Sequence, residues 1–126
     1  MNRWYGLLTL AYCSAVFALS SVERPPKELG WIPAGDLLAH GVLYAGLGWL
    51  AAKTLRAGDA PLSGWLKWVV PVLFVACYGA SDELHQWFVP GRQCTFADWV
   101  ADVAGGAAVQ LVFLVRTRRR RRGVGE

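Results

Sequence analysis

Charge is scarce in this chain: Asp, Glu, Lys and Arg make up 17% of its 126 residues, against about 25% in an ordinary soluble domain. With 55% apolar residues, so small a soluble fold could not hide its hydrophobic surface, which excludes a disordered or strongly solvated protein. Cysteine is nearly missing. Cys13, Cys77 and Cys94 show no C-x-x-C or zinc-finger spacing, which excludes a disulfide framework and a zinc module. Cys13 and Cys77 read as small residues inside apolar stretches, and Cys94 as a loop thiol. No repeat and no low-complexity linker occurs, which excludes a solenoid and a two-domain chain.

Hydrophobic runs are plentiful. Four stand out, at 4–20, 37–55, 65–80 and 96–115. Each is close to the ~20 residues that cross a ~30 Å hydrocarbon core, and each is apolar around its circumference apart from a few polar positions. The expected fold is an all-α membrane protein, a four-transmembrane-helix bundle in one domain over residues 1–115 with a basic tail at 116–126. Pro71 falls inside the third run; membrane helices tolerate proline where a neighbour satisfies the freed carbonyl. The first run could instead be a signal peptide, with Arg3 before it and "ALS" (18–20) near its end. The Trp4–Tyr5 pair reads as an interfacial anchor, and we take the run as a retained span.

Positive charge is unevenly spread. With four spans the two ends and the loop around residue 59 share a side, and ten of the thirteen Lys and Arg lie on it; only Arg24, Lys27 and Arg92 lie on the other. The positive-inside rule then places both termini in the cytoplasm of a multi-pass protein. A run such as "RTRRRRR" (116–122) can signal nucleic acid. Beside an apolar span it reads as a cytoplasmic flank, so the lipid bilayer is the expected partner and nucleic acid is not. Trp31 and Ile32, in the first outer loop, are expected at the interface.

The remaining polar residues converge. Asp36, His40 and Tyr44 recur every fourth position at the outer start of the second span and share a face. Asp82, His85 and Gln86 share a face at the outer end of the third, with Glu83 pointing elsewhere. Asp98 and Asp102 open the fourth. At ~1.5 Å per residue His40 lies about 6 Å below Asp36, as does Asp102 below Asp98. Ionisable groups at depth cost about 2.5–3.5 kcal/mol each and turn inward, so a polar pocket opening outward is expected. Plainer roles stand beside this. Thr95 and Asp98 form a capping-box pattern, and Asp36 could cap the second helix. Pro90–Gly91 marks a turn. Arg92 could snorkel or pair with Asp82 or Glu83, and Glu83 is expected solvated or paired with Arg92. Gly41, Gly46, Gly48, Gly105 and Gly106 read as close helix packing.

"DLLAHGVLY" followed by "SDELHQWFVPGRQCTFADWVADVAGG" resembles the VanZ-like membrane protein family over roughly residues 30–115. The family pattern falls on Asp36, His40 and Tyr44, then Asp82, Glu83, His85 and Gln86, then Pro90, Gly91, Arg92, Thr95, Asp98 and Gly105. Leu37 stands where the family often has Lys, and Asp102 where it often has Asn. The resemblance implies a small multi-span envelope protein and a link to glycopeptide resistance of the teicoplanin type. It implies no settled reaction.

Enzyme and binder both remain open. In the first reading His40 or His85 is a general base or nucleophile oriented by Asp36 or Asp82, with Glu83 and Asp98 further catalytic candidates. Arg92, Gln86, Tyr44 and Asp102 would then hold a substrate, Arg92 by a bidentate grip on a phosphate or carboxylate of an envelope lipid or lipid-linked component. A divalent metal such as Zn2+ or Mn2+ could sit among Asp36, His40, His85, Asp98 and Asp102. The others are a non-enzymatic module that binds or shields an envelope component, and a small transporter, which at this size would need a homo-oligomer. A Cys94–His85 nucleophile pair is a further alternative.

Overall fold

The computed structural model describes residues 3–23, 33–57 and 62–123. Arg24, Lys27, Trp31, Ile32 and Asp59 lie outside the described residues. Four helices follow in order: α1 (Arg3–Ser20), α2 (Pro33–Ala57), α3 (Leu66–Trp87) and α4 (Phe96–Gly123). The four apolar runs each became one helix. The polar stretch "SDELHQW" continues α3 for almost two turns beyond Ala80, and the arginine run continues α4.

The helices run up, down, up and down. Ser20 at the end of α1 meets Gln86 at the end of α3, and His40 near the start of α2 meets Asp102 near the start of α4. At the opposite end Tyr5, Arg56 and Arg116 line one cavity. The start of α1 and the end of α4 therefore share an end of the bundle, and the polar cluster occupies the other.

Glycine sets how closely α2 and α4 approach. A Cβ on Gly105 would lie 2.1 Å from the Gly41 carbonyl oxygen, and one on Gly48 would lie 2.9 Å from the Gly106 Cα. Side chains also donate to mid-helix carbonyls of their neighbours: Tyr12 to Leu43, Tyr78 to Cys13, Trp99 to Ala76 and Gln110 to Gly48. Pro71 is fully buried inside α3. It has no N–H for the Lys67 carbonyl one turn back, and Arg56 supplies a donor to that oxygen at 3.3 Å.

A small apolar core of Val16, Tyr44, Leu47 and Val75 shares the interior with many polar groups, and large apolar side chains lie on the outside. Buried positions include Thr9, Ser20, His40, Asp82, Glu83, Gln86, Asp98, Asp102 and Gln110, whereas Leu8, Leu10, Phe17, Leu38, Leu73 and Leu111 are all exposed. Among the described residues one helix, α4, is long and apolar enough by mean hydropathy to cross a membrane.

Candidate functional site

The site is built from the first turns of α2, the last turns of α3 and the first turns of α4. A tight turn connects the last two. Arg92 N–H donates to the Val89 carbonyl at 3.1 Å, with Pro90 second and Gly91 third at a φ of 75°, the type II pattern. Thr95 Oγ1 then accepts the Asp98 N–H at 3.1 Å and caps α4. The capping box is only half made in the expected way, because the Thr95 N–H donates at 3.2 Å to Glu83 of α3. Glu83 thereby ties the end of α3 to the start of α4.

His40 is the centre. Its Nδ1 lies 2.8 Å from Asp102 Oδ1 and 3.8 Å from Glu83 Oε1. The carboxylate that orients His40 is therefore Asp102 across the bundle, not Asp36 one turn away or Asp82. Asp102 is fully buried. Gly79 makes room for it: a Cβ there would lie 3.0 Å from Asp102 Oδ2.

A second polar chain runs alongside toward α1. The Tyr44 hydroxyl donates to Asp82 Oδ2 at 2.8 Å. Gln86 Nε2 reaches the same oxygen at 3.4 Å and Ser20 Oγ at 3.3 Å. Ser20 was not among the expected site residues; its signal was a serine closing the first apolar run.

Several residues lie elsewhere than expected. Glu83 is buried, 4% exposed, not solvated, and its described partners are Thr95, His40 and the Cys94 thiol rather than Arg92. The fork of Arg92 is used on backbone: Nε donates to the Val22 carbonyl at 3.1 Å and an Nη to that of Leu19. His85 turns toward α1, with Nε2 2.9 Å from Ser21 Oγ and its ring stacked on Phe17 at 4.5 Å. Ser21 spends its own proton on the Phe17 carbonyl, so His85 is the donor in that pair. The exposed Cys94 has its thiol pushed up by partial desolvation and by the Glu83 and Asp98 carboxylates, which disfavours a reactive thiolate.

The electrostatic balance is lopsided. Asp82, Glu83, Asp98 and Asp102 are buried and Asp36 is half-buried beside them. Asp82 Oδ1, Glu83 Oε1 and Asp102 Oδ2 are buried with no hydrogen-bond partner among the described residues. Donor atoms of His40, Glu83 and Asp102 lie within 4.8 Å of one another, and so do those of Asp36, His40 and Asp98. His85 belongs to neither set.

Beside the cluster a cavity of about 380 Å³ opens between α1, α2 and α3. Its apolar wall is Val16, Leu19, Val22 and Leu43, and its polar side carries Asp36, His40, Tyr44, Asp82, Gln86 and Arg92. One wall suits hydrocarbon and the other suits hydrogen-bonding or charged groups.

A family model described as VanZ/LLP1 matches residues 6–117, nearly all of the chain, so the chain belongs to that family. No curated protein and no solved structure matches it.

Proposed function

We propose that this member of the VanZ/LLP1 family is a multi-pass integral membrane protein that binds or acts on the headgroup of a cell-envelope lipid or lipid-linked phosphate component. All four helices cross the bilayer in this reading. The polar end faces outward, and the arginine-rich end of α4 is the cytoplasmic flank of a single domain.

The observation that carries it is that ionisable groups are buried inside the bundle while many large apolar side chains lie exposed on its outside, bounded by aromatics at both ends. Trp4 and Trp65 are exposed at one end of the bundle, and Trp87, Phe88 and Phe96 at the other. Trp65 and Trp87 bracket α3, a helical rise of about 33 Å, which matches a ~30 Å hydrocarbon core with interfacial aromatics on each side. Ten of thirteen basic residues on the side opposite the polar cluster give the orientation. The half-apolar, half-polar cavity supports an amphiphilic ligand, with the acyl part against Leu43 and Val16 and the headgroup toward His40 and Tyr44. A protein that holds or alters such a lipid would change how a teicoplanin-type glycopeptide meets its target, so altered glycopeptide sensitivity is the expected phenotype.

The test is lipid analysis of protein purified in native nanodiscs. One phosphate-bearing lipid should be enriched over the bulk membrane and lost on Leu43→Trp, which fills the cavity. Bulk composition in both samples overturns the lipid reading. A reporter fused at Gly123 should be active only if it works in the cytoplasm; activity of an external reporter there overturns the orientation.

A further inference from the structure

We propose that His40, Glu83 and Asp102 form a binding site for one divalent transition-metal cation of the Zn2+ or Mn2+ type. The inference does not need the lipid reading, because it concerns what the buried cluster itself coordinates.

Coordination distances favour it. Ligand atoms bound at about 2.1 Å to a tetrahedral cation stand about 3.4 Å apart. His40 Nδ1 lies 2.8 Å from Asp102 Oδ1 and 3.8 Å from Glu83 Oε1, on either side of that value. Small side-chain rotations would admit the ion. A nitrogen with two carboxylates suits Zn2+ or Mn2+ better than Ca2+ or Mg2+, which prefer all-oxygen shells.

The unused atoms point the same way. Glu83 Oε1 and Asp102 Oδ2 have no hydrogen-bond partner among the described residues, on side chains 4% and 0% exposed. A buried carboxylate oxygen without a donor is costly; Glu83 Oε1 faces His40 Nδ1 at 3.8 Å and is what a cation between the two would satisfy, while Asp102 would bind through Oδ1, the oxygen it already turns to His40. Arg92 is the one described Lys or Arg at this end of the bundle, and it donates to the Leu19 and Val22 carbonyls. A divalent ion would add positive charge beside Asp82, Glu83, Asp98 and Asp102, for which no Lys or Arg partner is seen among the described residues. A metal bound at Nδ1 requires that atom's lone pair, so the loaded His40 ring carries its proton on Nε2.

The surroundings fix the ligands. Thr95 N–H holds the other Glu83 oxygen at 3.2 Å, the outer-shell restraint that metal ligands commonly have. Gly79 leaves space for the Asp102 carboxylate. An ion here would lie beside the cavity that His40 lines, where it could offset repulsion between an anionic headgroup and the surrounding carboxylates.

Full-length protein carrying a histidine-free tag is purified in nanodiscs, stripped with chelator and titrated with Zn2+ and with Mn2+. Metal content by mass spectrometry should approach one ion per chain, and the loaded protein should melt higher. Glu83→Gln and Asp102→Asn should each weaken binding by about tenfold or more, while Cys77→Ser, at an exposed position, should not. Independently of whether those variants fold, Mn2+ bound to 15N-histidine-labelled His85→Asn protein should show nitrogen coupling, since only His40 can then supply it. Folded wild type that takes up neither ion, binding unchanged in both carboxylate variants, or bound Mn2+ with no histidine nitrogen coupling would each overturn the site. Lipid content is read separately, so the cation can fail while the lipid reading stands, and the reverse.

Discussion

Gly105→Ala should be among the most damaging conservative changes in this protein, while Gly41→Ala, across the same helix crossing, should be mild. A methyl at 105 would lie 2.1 Å from the Gly41 carbonyl oxygen, 2.9 Å from its carbon and 3.1 Å from the Ala45 nitrogen. These are backbone atoms of α2 that no rotamer change can move. A carbon–oxygen contact is comfortable at about 3.3 Å, so α2 and α4 must separate locally by about 1 Å. Asp102 lies one turn before Gly105, and its 2.8 Å bond to His40 would stretch toward ~3.8 Å, beyond hydrogen-bond range. Overpacking costs about 1–3 kcal/mol and a lost charge-assisted bond about 1.5–3 kcal/mol. The two share one displacement, so a total of about 3–5 kcal/mol is expected, a fall of order 10 °C in melting temperature. A methyl at Gly41 would meet only the Ala101 carbonyl at 3.7 Å, an ordinary contact. Removing a helical glycine gains up to about 1 kcal/mol, so that variant should melt within a few degrees of wild type. The assay is thermal unfolding in detergent by circular dichroism. Equal melting of Gly105→Ala and wild type would show that α2 and α4 do not meet here.

Two further outcomes follow from the same geometry. Arg56→Met should destabilise the wild type by about 1.5–3 kcal/mol but cost less in a Pro71→Ala background, because the substituted residue offers its own N–H to the Lys67 carbonyl; a double-mutant cycle on unfolding midpoints with no coupling would mean that Arg56 does not serve that oxygen. Cys94→Ser should leave glycopeptide sensitivity and lipid enrichment unchanged, since the thiol is exposed and its ionisation is disfavoured by Glu83 and Asp98; loss of either would return Cys94 to the site.

The sequence alone determined the number and placement of the helices, because four long apolar runs separated by proline, glycine and charge leave the backbone few other ways to satisfy its hydrogen bonds. It also determined which ends of those helices carry ionisable groups, and helical periodicity put Asp36, His40 and Tyr44 on one face. Pro90–Gly91 announced the turn that Gly91 makes at positive φ. Only the tertiary structure decided the pairings. Glu83 points away from Asp82 around α3, which in sequence reads as solvent, yet α4 packs on that side and buries it against Thr95 and His40. His85 keeps the right spacing for the Asp82 face, yet α1 lies against it and takes it to Ser21. Asp102 becomes the partner of His40 because Gly41 and Gly105 let two helices approach until their backbones nearly touch. A periodic pattern fixes where a side chain sits on its own helix. Which neighbour it meets depends on how closely and at what rotation the helices dock, and that is set by glycines and long-range hydrogen bonds whose partners are far apart in sequence.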